Sequence, residues 1–211
     1  MDEPLHSRFL VVGSGIAGLQ FALLAAEHGS VRIVTKKESK ESNTNYAQGG
    51  IAAVLSPLDD FSLHLADTLA AGDGLCNESV TRAMIEAAPR LIDRLLAVGV
   101  RFSREGERAE APLALGREGG HSRHRIVHAH DLTGQELESR LLAACQAHGG
   151  ITIHENHLGL DLILAHQLGH RGPQANRVVG CWVLDRPSRR RQACLADVVL
   201  LATGGCGKVY S

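Results

Sequence analysis

The apolar run Phe9-Leu-Val-Val12 leads directly into Gly13-Ser-Gly15-Ile-Ala-Gly18, and this junction restricts the fold more than any other stretch of the 211 residues. The run reads as a buried strand. Leu19 to His28 is an Ala/Leu-rich, helix-compatible segment, Gly29 suits its C-terminal cap, and Val31-Arg-Ile-Val34 reads as a second strand. Strand, tight turn, helix and strand thus follow one another within the length of one βαβ unit. Gly13 permits the turn, Gly15 lets backbone approach a pyrophosphate, and Gly18 lets helix and strand pack closely. The pyrophosphate would sit on the helix N-terminus, where unpaired N–H groups and the dipole favour an anion.

Such a fingerprint normally continues with an acidic residue at the end of the second strand, placed to hold ribose hydroxyls. Here the position is Thr35-Lys36. That disfavours a classical NAD site and leaves two readings open: a 2′-phosphorylated dinucleotide, or an FAD held by Thr35 and Lys36.

Charge and composition remove other classes. Lys and Arg number 22 against 23 Asp and Glu, giving a formal charge of -1, with 44% apolar and 21% charged residues. This is a globular balance rather than a disordered or fibrous one. Nucleic acid is not an expected partner without net positive charge, and no polybasic segment or bilayer-length apolar run suggests a membrane. Asp2 and Glu3 stand where a signal peptide would be basic. The five cysteines are dispersed and form no C-x-x-C pair, which fits a reducing cytoplasm.

Farther along, Ser39 to Asn45 is a polar loop, and Gly49-Gly50 in Tyr46-Ala-Gln-Gly-Gly-Ile-Ala-Ala-Val54 lets backbone come near a flat ring or a phosphate. Ser62 to Ala71 and Glu78 to Val98 read as packing helices, with Pro89 expected to open a new helix inside the second. Leu115 to Asp131 holds three Arg and four His in 17 residues, a local cationic patch suited to an anionic ligand. Its histidines, His121, His124, His128 and His130, lack a fixed element to make a metal site, so no metal is expected. Asp131 onward opens a helix to about His148, with Thr133 and Glu136 spaced as a capping box. A strand is expected at Ile151 to Glu155, Asn156 to Leu164 continues into another apolar stretch, and Val178 to Leu184 and Ala196 to Leu201 read as strands with a basic hairpin turn at Arg186 to Arg191 between them. The last strand ends in Ala202-Thr203-Gly204-Gly205, at a carboxyl end where open α/β sheets bind ligands.

Val12-Gly-Ser-Gly-Ile-Ala-Gly18, Tyr46 to Val54, Arg117-Glu-Gly-Gly-His-Ser122 and Val199-Leu-Leu-Ala-Thr-Gly-Gly-Cys-Gly-Lys-Val-Tyr210, in that order and spacing, resemble the L-aspartate oxidases of the fumarate reductase/succinate dehydrogenase flavoprotein group. The resemblance runs over the whole chain, which corresponds to the N-terminal portion of such an enzyme. It implies an α/β, Rossmann-like FAD-binding domain with a parallel central sheet and inserted helices. The implied parts are a dinucleotide βαβ at 8–36, a flavin loop at 42–54, a helical and basic-loop insertion at 56–148, and a sheet and hairpin return at 151–205, with the capping domain absent.

The resemblance also implies a site. The FAD pyrophosphate would lie on Gly13, Ser14, Gly15, Ile16, Ala17 and Gly18, with Thr35 and Lys36 by the adenosine ribose. Asn43, Thr44, Asn45, Tyr46, Ala47, Gln48, Gly49 and Gly50 would line the ribityl chain and isoalloxazine. Backbone at Leu158 and Gly159 would touch the adenine side, and Ala202, Thr203 and Gly204 the end of the last strand. Membrane-bound relatives carry the flavin on a histidine where this chain has Asn43, so the FAD is expected to be non-covalent. Glu118 matches the glutamate that faces the substrate amino group.

The implied reaction is oxidation of L-aspartate to iminoaspartate with oxygen or fumarate as acceptor. This is the first step of NAD biosynthesis, in the cytoplasm, and the next enzyme of quinolinate synthesis is a possible partner. The family's catalytic arginine, its substrate histidines and the capping domain would lie beyond Ser211. If these residues are the whole polypeptide, the expectation is an inactive chain that holds FAD weakly or not at all. The alternatives are a soluble fumarate reductase or succinate dehydrogenase flavoprotein and a non-catalytic dinucleotide-binding module. A pyridine-nucleotide reductase ranks last because it does not account for Tyr46 to Val54.

Overall fold

The computed structural model describes residues 3–108, 110–129 and 132–205. It divides into two compact units, residues 1–45 with 141–211 and residues 46–140, and the boundary between them falls inside a helix.

The first unit is built on the expected βαβ. Strand β1 (Leu5–Val12) leads into helix α1 (Ile16–Ala25) and then β2 (Val31–Val34). The helix starts three residues before the expected Leu19, because Ile16, Ala17 and Gly18 form its first turn, and it ends at Ala25 rather than His28. After the second unit the chain returns through α4 (Thr133–Ala147), β6 (Ile151–His154), β7 (His157–Leu164), β8 (Val178–Asp185) and β9 (Arg190–Leu201). Six strands form one sheet in the order β6-β2-β1-β9-β8-β7. β6, β2, β1 and β9 are parallel, while β7, β8 and β9 run antiparallel as a meander. The sheet is therefore mixed, with a parallel half and an antiparallel edge.

Alternation along β1 separates two packing faces. Leu10 and Val12 join Val34, Cys181, Val183, Cys194 and Ala196 in one core cluster. Val11 and Ile33 point to the opposite face and are fully buried. α1 packs on β1 and β2, and the Cys145 thiol of α4 donates to the Leu19 carbonyl of α1. The meander closes a smaller cluster of Ile163, Ala165, Val179 and Ala193. The basic turn is confined to residues 186–189, where Arg189 adopts φ +56 and Ser188 hydrogen bonds to Asp185; Arg190 and Arg191 already belong to β9.

The second unit pairs α2 (Phe61–Ala71) with α3 (Glu78–Ala97) and adds a three-stranded antiparallel sheet. Its strands are β3 (Ile51–Ala52), β5 (Ile126–Val127) and β4 (Leu115–Gly116), in that order. Asp60 caps α2 by accepting from the Ser62 and Leu63 N–H groups, and Asn77 caps α3 by accepting from Val80.

Two expectations are corrected here. Pro89 does not open a new helix: α3 is continuous through it. An interior proline costs roughly 3 kcal/mol, but Ile85, Ile92 and Leu95 share one buried face across it, and their burial outweighs that cost. The capping box at α4 does not form either. Thr133 Oγ1 accepts from the Ala129 N–H, while Glu136 accepts from the Arg101 N–H and from Arg140, both contacts that lie outside a capping box.

At the β6 edge, His154 Nε2 faces Arg32 Nη1 and its ring meets His157 at 5.1 Å. Burial, and then the Arg32 charge, push the His154 imidazole down from 6.5 to about 4. Between these two values the unfolded chain binds a proton that the folded chain refuses, so stability is complete above pH 6.5 and falls as pH drops toward 4. We expect His154→Gln to flatten this part of the pH–stability curve in urea unfolding. A variant with the wild-type slope would count against the assignment.

Candidate functional site

The expected cofactor residues fall in both units. In the first, the ends of β1 and β9 meet the start of α1. Gly13 adopts φ +116, and a Cβ there would stand 2.1 Å from the Ala202 carbonyl oxygen; a Cβ on Gly18 would stand 2.2 Å from the Gly13 oxygen. These contacts seat the first turn of α1 directly on the strand ends. Gly15 is the helix N-cap, at φ -71, and as glycine it brings no capping side chain of its own. A Cβ on Gly15 would meet only the Thr44 hydroxyl, at 3.5 Å, and the Ser42 Cβ, at 4.0 Å. The fold needs glycine at 13 and 18, whereas at 15 it leaves an open approach to a helix N-terminus with no acidic residue in its first turn. These residues fit the pyrophosphate of a dinucleotide.

Around this cradle, Thr44 Oγ1 accepts from the Ile16 N–H at 3.1 Å, and the Ser42 hydroxyl accepts from the Thr44 and Asn45 N–H groups. Asn43 is exposed, with its side-chain nitrogen 3.9 Å from where a Gly204 Cβ would stand. Asn43, Thr44, Gly13, Ala202 and Gly204 are thus brought together, Thr203 lies exposed beside Ala202, and Ala17 is exposed on the first turn of α1. Gly159 lies across the sheet, where a Cβ would press on Val12 at 3.0 Å, and Leu158 beside it is part-exposed. Lys36 is exposed, and its carbonyl accepts from Arg186.

Two expected residues are taken up by the fold itself. The buried Ser14 hydroxyl lies 3.0 Å from both the Thr35 hydroxyl and the Ser39 carbonyl. Thr35 is also buried, its N–H donating to His154 and its carbonyl accepting from His157. Side chains at 14 and 35 therefore brace the loop after β2. Ser39 completes the brace by donating its N–H and hydroxyl to Glu155, which holds that carboxyl below its usual range. Nothing local in the sequence marks Ser39, Ser42 or Glu155, because their partners are distant or backbone.

In the second unit the flavin-loop residues sit beside Glu118. Tyr46 is 66% exposed, Ala47 and Gln48 are exposed, and the Ala47 carbonyl accepts from the Gly134 N–H. Gly50 lies against β5, where a Cβ would stand 2.3 Å from the Val127 oxygen. Pairing of β3 and β4 to β5 brings Glu118 Oε1 to 3.8 Å from where a Gly49 Cβ would stand. The exposed Glu118 carboxylate thus lies over the glycine backbone of the loop.

The basic run around it is less cationic than its composition suggests. Arg125 is fully buried and spans two carboxylates, with Nε and Nη2 on Asp59 at 2.8 and 2.7 Å and Nη1 on Asp67 at 2.7 Å. The Ser122 N–H, then its hydroxyl, then Arg125 hold the Asp67 carboxyl down from 3.8 to about 2. His64 is buried beside the group and, by burial and then the Arg125 charge, lies below 6.5. Removing Arg125 would strand two carboxylates, a defect of about 3–5 kcal/mol when a buried pair is broken. Arg117 and Arg123 remain exposed. The α2 segment read only as packing therefore carries Asp67 and His64, which stand three residues apart on one helix face. That spacing, opposite an Arg/His-rich run, is the signal that could have found them. Among the described residues no cluster of three or more His, Cys, Asp or Glu is placed to hold a metal, and no helix is long and apolar enough to cross a membrane. His130 lies outside the described residues.

Comparison with known proteins gives the family. L-aspartate oxidase of Vibrio cholerae is 42% identical over 211 residues, 99% of this chain and 39% of its own length. The chloroplastic L-aspartate oxidase of Oryza sativa is 42% identical over 205 residues, 96% of this chain and 30% of its own. The chain thus spans between three-tenths and two-fifths of these curated relatives. Among solved structures, the FrdA chain of E. coli quinol fumarate reductase superposes with a TM-score of 0.86 at 28% identity, covering 99% of this chain and 34% of that one. The Mycobacterium smegmatis Sdh1 complex in its apo form gives 0.85 at 25%, covering 98% and 36%. The family model described as FAD binding domain matches residues 8–211, so the chain belongs to that FAD-binding family, with FAD as its cofactor.

Proposed function

We propose that this chain is the flavin-binding, N-terminal part of an L-aspartate oxidase, which converts L-aspartate to iminoaspartate at the head of NAD biosynthesis and passes electrons to oxygen or fumarate. The observation that carries the reading is the Glu118 carboxylate lying over Gly49 in a run that also exposes Arg117 and Arg123. When bound, FAD supplies the acceptor for the hydride that leaves Cα of the amino acid. The chain's own part is to place the substrate and balance its charges. L-Aspartate has one ammonium and two carboxylates. Glu118 answers the ammonium, and the exposed arginines answer carboxylates.

We further propose that the turn Gly13, Ser14, Gly15, Ile16, Ala17 and Gly18 seats the pyrophosphate, with Gly13 and Ile16 held by Val34 and Thr44 and main-chain N–H groups of the first turn of α1 facing the ligand. Lys36, Leu158 and Gly159 would lie along the adenosine, and Asn43 to Gly50 with Ala202, Thr203 and Gly204 along the ribityl chain and ring. With asparagine at 43 there is no imidazole for a covalent link, so the FAD is held non-covalently. The product's consumer, the next enzyme of quinolinate synthesis, is the expected partner. Residues 8–36, 42–54, 56–148 and 151–205 serve as the successive parts of one FAD-binding domain. The dispersed cysteines, of which Cys76, Cys145, Cys181 and Cys194 are free, suit a reducing compartment such as the cytoplasm.

The likeness to fumarate reductase structures supports a second reading, a soluble fumarate reductase or succinate dehydrogenase flavoprotein. Glu118 separates the two, since succinate and fumarate carry no ammonium for it to meet. In the full-length gene product, Glu118→Gln is expected to lower kcat/KM for L-aspartate about tenfold to a hundredfold, the size of one lost charge-assisted hydrogen bond. Fumarate reduction should be spared. Equal loss of both activities in steady-state assays would sink the assignment of Glu118 to the ammonium.

A further inference from the structure

The turn that carries Glu118 is held from outside itself. The His121 N–H donates to the Glu118 carbonyl at 3.3 Å, and Gly120 takes φ +84 at the third position of the turn, where left-handed backbone is required. A turn of this kind puts its first and fourth residues within about 7 Å of each other. Glu118 and His121 therefore leave it side by side. Its two central glycines give it little stiffness. Added Cβ atoms would meet nothing within 4 Å at Gly119 and only the Ala71 Cβ, at 3.7 Å, at Gly120.

Order comes from the next residue. The Ser122 N–H and hydroxyl both donate to Asp67 Oδ2 at 2.8 Å, and that oxygen accepts Arg125 Nη1 at 2.7 Å. Asp59 grips the rest of the guanidinium. The same Nη1 lies 3.4 Å from His121 Nδ1. A guanidinium only donates, so Nδ1 accepts, and the neutral ring carries its proton on Nε2. The His121 ring rests against that of buried His64 at 5.7 Å, whose Nδ1 has no hydrogen-bond partner among the described residues.

We propose that Arg125 is a positioning residue for recognition of an α-amino acid. Through Asp67 and Ser122 it fixes the turn, and through Nδ1 it fixes His121 as an Nε2–H donor. Glu118 then receives the ammonium while His121 donates to a carboxylate of the same molecule. Arg125 touches neither group of the substrate, and the inference rests on the L-aspartate reading given above.

Two measurements test it. The first uses this chain without flavin or substrate: 15N-histidine NMR reads which ring nitrogen of His121 is protonated, with the signal assigned by its loss in His121→Asn. The expected state is Nε2–H. In Arg125→Lys, which keeps the charge but not the fork, both tautomers are expected; Asp67→Asn serves if that variant does not fold. A wild-type His121 that is Nδ1–H or evenly mixed would overturn the proposal.

The second uses the full-length gene product. Ser122→Ala leaves the buried ion pairs in place and is expected to raise KM for L-aspartate roughly tenfold, as for one hydrogen bond to a charged group, with a smaller fall in kcat. His121→Gln, which keeps an N–H near the Nε2 position, should retain more affinity than His121→Asn. Unchanged KM in both Ser122→Ala and His121→Asn would overturn the positioning role and leave the aspartate reading standing. A wild-type protein that oxidises no L-aspartate would overturn that reading, with the His121 tautomer still deciding the positioning role.

Discussion

At Gly13 and Gly18 three stretches of main chain meet at separations no side chain would allow. The carbonyl of Ala202 closes on Gly13, and the carbonyl of Gly13 closes on the first turn of α1. The remaining features of the first unit depend on this contact. It aligns the end of β1 with the end of β9, fixes where α1 begins, and places the first turn of that helix beside Thr44, whose hydroxyl takes the Ile16 N–H. Ser14 and Thr35 then turn their hydroxyls toward each other, so the loop after β2 is braced from within, and the Thr44 it carries reaches that helix end.

The second unit is organised by charge. Arg125 is drawn fully inside by Asp59 and Asp67. Its fixed position matters more than its charge, because a buried ion pair contributes little net stability while its geometry is costly to disturb. The cationic surface shrinks accordingly to Arg117 and Arg123, beside a single carboxylate at Glu118. This mixture suits a zwitterion with extra negative charge better than a simple polyanion.

Local features were legible in the sequence, and distant pairings were not. Val31 to Val34 was bounded to the residue, because a short apolar run between glycine and polar residues has few other solutions. The glycine run was readable because its spacing encodes backbone geometry. The start of α1 is not legible because the glycine motif itself forms its first turn, and Pro89 breaks nothing because packing of Ile85, Ile92 and Leu95 overrides a local breaker. Thr133 and Glu136 had the right spacing for a cap and found other partners. The Asp59–Arg125–Asp67 group was invisible because its members lie 58 and 66 residues apart. Glu118 is marked in the sequence only by resemblance; its place over Gly49 depends on a sheet of two-residue strands that no periodicity marks.

The central claim is that the helix end at Gly15 is kept open for a dinucleotide rather than for packing, and Gly15→Ala tests it most directly. The backbone there is extended and nothing crowds a new Cβ, so the apo fold should lose less than about 1 kcal/mol, the scale of a cap change. FAD affinity of the full-length gene product, measured by flavin fluorescence titration, should fall by at least roughly tenfold, or about 1.4 kcal/mol. A variant that folds normally and binds FAD as tightly as the wild type would contradict the account.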